Sequence, residues 1–114
     1  MSYKESHILI INNVSKFVDL TELEKQKYIP LLTDIHVNRK SYLMQAGEIT
    51  KYEYFTTKGC LKVYTLDEHG APYISMFAVE EYWTGDLASF ITKQLSNYFI
   101  KATEDSELLG IPKG

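Results

Sequence analysis

Residues Tyr82 to Ile111 read YWTGDLASFITKQLSNYFIKATEDSELLGI, and the rest of the chain is arranged around them. An aromatic pair, Tyr82 and Trp83, expected to be buried, leads into Gly85-Asp86-Leu87-Ala88-Ser89-Phe90, a compact turn suited to opening a short helix. A polar loop then returns to an apolar strand over Tyr98 to Ala102. Gly85 permits positive φ or close backbone approach, and a helical turn starting just after it would aim unpaired N–H groups at whatever sits in the mouth. Turn, mini-helix, loop and strand thus outline an anion-binding cassette. The same spacing also fits a plain structural corner.

Upstream of this unit the pattern has period two. Ile35, Val37 and Arg39 alternate with His36, Asn38 and Lys40, a first strand with its apolar pair inward and its basic end at the edge. Tyr42 to Gln45 is a second extended piece, stopped by Ala46-Gly47-Glu48 with Gly47 as turn residue. Tyr52 to Thr57 and Cys60 to Leu66 are joined through Lys58-Gly59, and Asp67-Glu68-His69-Gly70 makes a hairpin before Tyr73 to Ala78. Downstream, Glu104-Asp105-Ser106 turns the chain into a last strand, Glu107 to Ile111. Short strands with turns about every eight to twelve residues describe a sandwich, roll or barrel.

Ahead of the strands, Ile8, Ile11, Val14 or Ser15, and Val18 recur at helical spacing, with Leu9 and Ile10 widening the stripe, which predicts an amphipathic N-terminal helix. Thr21 with Glu24 forms a capping box, so a second helix should begin near Glu22. Pro30 removes a backbone donor and ends or restarts that helix, with Leu31 and Leu32 expected to pack inward.

A chain of 114 residues is long enough for one core and too short for two. Nine Tyr and five Phe suit half-buried strands, making an all-β or α+β domain the expectation. The net charge of -3 gives no overall attraction to a phosphate backbone, so direct nucleic-acid binding by these residues is not expected. The single cysteine, Cys60, excludes an internal disulfide and an iron–sulfur site and fits a reducing, cytoplasmic setting. No apolar run has the length of a signal peptide core or a membrane span.

His7, His36 and His69 stand far apart and lack metal-site spacing, which leaves a cupin-like metal enzyme poorly founded. Cys60 reads as a small half-buried residue, with a haem ligand or redox thiol as the other reading. Neither a Ser-His-Asp nor a paired-carboxylate arrangement emerges from the spacing, and the chain is expected not to be an enzyme. Tyr52, Tyr54, Tyr64, Tyr73 and Tyr98 read as core aromatics or as the lining of a ligand pocket.

Taken in order, LMQAGEI (Leu43 to Ile49), YEYFTTKGCLKVY (Tyr52 to Tyr64), DEHG (Asp67 to Gly70), WTGDLASF (Trp83 to Phe90) and KATEDSELLGI (Lys101 to Ile111) carry a resemblance covering the chain from about Phe17 onward. The sequence resembles the N-terminal effector domain of the Crp/Fnr transcription regulators, in a divergent branch of that family. The resemblance implies an α+β fold, a double-stranded, jelly-roll-like β-roll over residues 34–111 behind a helical segment over residues 1–33. It implies a small-molecule effector inside the roll, a cyclic nucleotide or another small anion, held at Gly85, Asp86, Leu87, Ala88, Ser89, Ser96, Asn97 and Tyr98. It further implies a homodimer in the full-length protein, and DNA contact only through a C-terminal domain not in this chain, which is expected to be a fragment of a longer regulator, with a stand-alone sensor module as the other reading. In cyclic-nucleotide-binding members an Arg-Ser or Arg-Thr pair grips the cyclic phosphate; here Ser96-Asn97 stands at that position. Loss of such a charge-assisted contact is worth about 1.5 to 3 kcal/mol. Lys93 or Lys101 is the candidate substitute cation, though an ammonium does not copy the planar fork. The alternative is a roll that has lost ligand binding and serves as a dimerisation or protein-contact scaffold.

Overall fold

The alternating strands close into two antiparallel four-stranded sheets, one ordered Thr33–Val37, Ser106–Pro112, Tyr52–Lys58, Trp83–Thr84 and the other Tyr42–Met44, Phe99–Ala102, Leu61–Leu66, Pro72–Ala78. The structure is a computed structural model and describes residues 4–16, 18–85 and 93–112. Two helices, α1 (Glu5–Val14) and α2 (Glu22–Tyr28), and a 3-10 turn (Ile29–Leu31) precede the strands β1 (Thr33–Val37), β2 (Tyr42–Met44), β3 (Tyr52–Lys58) and β4 (Leu61–Leu66). They are followed by β5 (Pro72–Ala78), β6 (Trp83–Thr84), β7 (Phe99–Ala102) and β8 (Ser106–Pro112). The expected strands form, differing only at their ends, and the β-roll is the observed architecture.

Period-two patterning decides what the roll encloses. Val37, Met44, Tyr54, Leu61, Val63, Ile100 and Leu108 point between the sheets and make the main core. The opposite face of β3 and β8 presents Phe55 and Leu109 to Ile10 and Ile11 of α1 and to Ile29, a second cluster outside the roll. The helix thus covers one sheet from outside.

Local chemistry sets the joints. Thr21 Oγ1 accepts from Glu24 N–H at 3.2 Å while the Glu24 carboxylate accepts from Thr21 N–H at 3.0 Å, the reciprocal box expected at the start of α2. Hydrogen bonding to its carboxylate from the Thr21 N–H first, and from the Thr21 hydroxyl second, holds Glu24 below its ordinary pKa. Gly59 lies at φ +100, and a Cβ there would sit 2.3 Å from Ser106 Oγ, so only glycine fits between β3 and β4. In the β4–β5 hairpin Asp67 Oδ1 accepts from His69 N–H and Ala71 N–H at 2.8 and 2.9 Å.

Four expectations change. Tyr82 is 50% and Trp83 37% exposed, not buried, because β6 is a two-residue edge strand with one side open. Trp83 packs a single face on Phe55, with ring centroids 5.0 Å apart, and its Nε1–H donates to Asn13 Oδ1 of α1 at 2.8 Å. Along α1 the buried pair is Ile10 and Ile11, whereas Ile8 is exposed and Val18 lies beyond the helix end at Val14. Leu32 packs inward but Leu31 is exposed, since the 3-10 turn at Pro30 swings it to solvent. β1 ends at Val37, leaving Arg39 and Lys40 in a turn where Lys40 adopts φ 69.

Candidate ligand site

Between the β2–β3 connection and the segment leading into β7 lies a cavity of about 520 Å³, lined by Leu43, Met44, Ile49, Thr50, Tyr52, Tyr54 and Leu95, with Gly47, Glu48 and Lys51 at its rim. Its walls follow from the strand pattern: Tyr52 and Tyr54 alternate onto the inner face of β3, their rings tilted at 44° with centroids 6.1 Å apart. Thr50 is buried and donates from Oγ1 to Met44 Sδ at 3.2 Å. Tyr54, only 6% exposed, has its hydroxyl pKa pushed up to about 12, mainly by burial, with Tyr52, Glu48 and Glu53 adding electrostatically. Like any tyrosine at neutral pH, it is protonated and presents an O–H donor. An apolar, aromatic wall with one buried donor, one carboxylate and one ammonium suits a flat polar molecule carrying an acceptor or a negative charge.

Each sequence-predicted site residue has a different fate. Asp86, Leu87, Ala88 and Ser89 lie outside the described residues. Gly85 adopts φ +149, with the Glu53 carboxylate close enough that a Cβ would meet it at 2.9 Å. Ser96 is buried, and its Oγ accepts from Tyr98 N–H at 3.0 Å. Its backbone is tied to the cavity rim, Gly47 N–H donating to Ser96 O and Ser96 N–H to Glu48 O, both at 2.8 Å. Asn97 is exposed and Tyr98 is half-buried against the main core. The structure thus brings the Ser96 turn to the rim of the cavity, while the wall itself is contributed by Leu95.

The two candidate cations separate. Lys101 lies on the outer face of its sheet, its Nζ 5.1 Å from the Tyr42 ring centroid, and cannot serve the roll interior. Lys93 is exposed. Lys51, which sequence reasoning missed, stands at the cavity rim, as do Glu48 and Gly47; the LMQAGEI motif was the available signal, read only as a turn. Of the five tyrosines singled out, Tyr52 and Tyr54 line the cavity; Tyr64, Tyr73 and Tyr98 do not. Cys60 is half-buried, and its N–H donates to Ser106 Oγ at 3.1 Å. Among the described residues no three His, Cys, Asp or Glu side chains converge as a metal site, and no helix is long and apolar enough to cross a membrane.

Residues 34–114 match the sequence profile of the cyclic nucleotide-binding domain. The chain belongs to that family. As a cyclic nucleotide-binding domain it superposes on cAMP-bound PfPKA-R with a TM-score of 0.83 at 14% identity, covering 98% of this chain and 40% of that one. The sensor domain of the transcriptional regulator DNR from Pseudomonas aeruginosa gives 0.78 at 18%, covering 96% and 75%. The regulatory subunit of a cAMP-independent protein kinase A from Trypanosoma cruzi, bound to guanosine, gives 0.76 at 17%, covering 94% and 38%. At these identities the likeness is one of fold, and the domain spans well under half of the two kinase subunits. Among curated proteins no sequence match is found.

Proposed function

We propose that this domain is the effector-sensing half of a Crp/Fnr-like transcription regulator and that it binds a small anionic ligand, a cyclic nucleotide or a close analogue, without catalysing a reaction on it. The observation that carries the reading is the open cavity against the inner face of β3 in a cyclic nucleotide-binding roll, with the Tyr54 hydroxyl as a donor and Lys51 among its lining. The ring of a nucleobase would lie against Tyr52, Tyr54 and Leu95, and the anionic end toward Lys51. A ligand can shift the domain between states only by its differential affinity for them. The Ser96–Glu48–Gly47 backbone bonds, which couple the cavity rim to the cassette segment, are where such a difference would act. Dimerisation and DNA contact are assigned to parts of a longer regulator.

A second reading is favoured by one observation: Ser96, at the place of the family's phosphate-gripping arginine, is buried, and its Oγ accepts from Tyr98 N–H of its own chain. On that reading the roll is a scaffold, or it takes an uncharged nucleoside. Titration calorimetry with cyclic AMP, cyclic GMP and guanosine separates these. Heat with a cyclic nucleotide, weakened in Tyr54→Phe and Lys51→Ala, supports the anion reading. Guanosine alone favours the nucleoside, and no heat with any of the three favours the scaffold.

A further inference from the structure

One row of side chains crosses the outer face of the β2-β7-β4-β5 sheet: Tyr42, Lys101, Lys62 and Phe77, each directly opposite the next in register. The central pair is two ammonium groups facing each other across neighbouring strands, an arrangement that costs stability. Among the described residues neither lysine has a carboxylate within 4.0 Å. Instead the Lys62 Nζ sits 5.2 Å from the Tyr64 ring centroid, and Lys101 is placed likewise over Tyr42. The two rings are locked together by a 3.0 Å hydroxyl–hydroxyl bond, and Phe99 stacks on Tyr64 at 5.1 Å. The cations therefore lie over an aromatic floor of linked rings. Beside them Phe77 is 48% and Ile74 47% exposed. While α1 covers the other sheet, this face has no covering element among the described residues.

We infer that this face docks an acidic segment of a partner protein, its carboxylates over the Lys62–Lys101 pair and its apolar side chains on Phe77 and Ile74. A second copy packed face to face would bring four ammonium groups together, which argues against a homodimer seam here. A nucleic-acid strand would feel the net charge of -3 along its length, whereas a short acidic segment feels the lysines at contact. Aromatic floors with fixed cations bind with little ordering cost, since the groups are already in place. The cavity lined by Tyr52 and Tyr54 has no part in the inference.

The test is amide chemical-shift mapping on the intact chain, titrated with an end-blocked peptide of alternating Glu and Phe. Shifts confined to the strands carrying Tyr42, Lys62, Phe77 and Lys101, weakening with added salt and reduced about tenfold in Lys62→Gln/Lys101→Gln, are expected. Unchanged affinity in that double variant, shifts elsewhere, or tighter binding of a single-stranded oligonucleotide to the same face would overturn the inference. The double variant should melt no lower than the parent, because it relieves like-charge opposition. A clear drop would make the lysines structural and end the proposal.

Discussion

Replacing Ser96 by alanine separates a structural hydroxyl from a ligand-binding one. Ser96 is 1% exposed, and its Oγ is the acceptor for Tyr98 N–H at 3.0 Å. Removing it strands a partly buried donor, at a cost of about 1 to 2 kcal/mol. Unfolding entropy of about 2.1 cal/mol/K per residue over 114 residues gives about 0.24 kcal/mol/K, so the melting temperature should fall by about 4 to 8 °C. Thermal unfolding followed by circular dichroism reads this, and calorimetry on the same variant reads affinity. A melting temperature unmoved while cyclic-nucleotide affinity fell about tenfold would refute the reasoning, because the hydroxyl would then serve the ligand and not its own chain. The companion variants sharpen the point. Ser96→Arg places an unpaired charge in a buried slot and should destabilise by about 3 to 5 kcal/mol. Asn97→Arg at an exposed position should be tolerated.

Three further outcomes are expected. Between pH 10 and about 12 the unfolded chain releases the Tyr54 proton while the folded one keeps it, so stability is full below this window and falls as the pH rises through it by up to about 2 to 3 kcal/mol; Tyr54→Phe should flatten that part of a denaturant-midpoint profile. Gly59→Ala drives a Cβ into Ser106 Oγ and the Asp105 carbonyl at φ +100 and should cost about 2 to 4 kcal/mol in urea unfolding. Asn13→Ala removes the 2.8 Å acceptor of the only indole N–H and should shift Trp83 fluorescence, with a stability loss near 1 kcal/mol, about the net worth of one hydrogen bond.

Much of the fold is legible in the order of residues because its signals are local. The Thr21–Glu24 box, the Asp67-to-Gly70 hairpin, the glycine at the β3–β4 joint and the alternation through Ile35 and Val37 each act within a few residues, and each forms as read. Which side of an element meets which neighbour is not local. Ile8 and Ile10 are equivalent as apolar helix residues, and only the seat of α1 against Phe55 and Leu109 selects Ile10 for burial. Trp83 looked buried because it is apolar and aromatic, but an edge strand covers one face alone.

The cavity shows the same division. Its lining combines Met44, Tyr54 and Leu95, which come from distant parts of the chain, so no window of sequence contains it. Lys101 stood among the candidate phosphate partners on its spacing from the cassette. Period-two geometry, with Ile100 and Ala102 in the core, turns it outward beside Lys62 instead. Order along the chain was enough to specify most of the strands, the turns and the cyclic nucleotide-binding fold. The contents of the roll's interior, and the meeting of two lysines on its exterior, came from register between strands, because hydrogen-bonded pairing is what converts separation along the chain into adjacency in space.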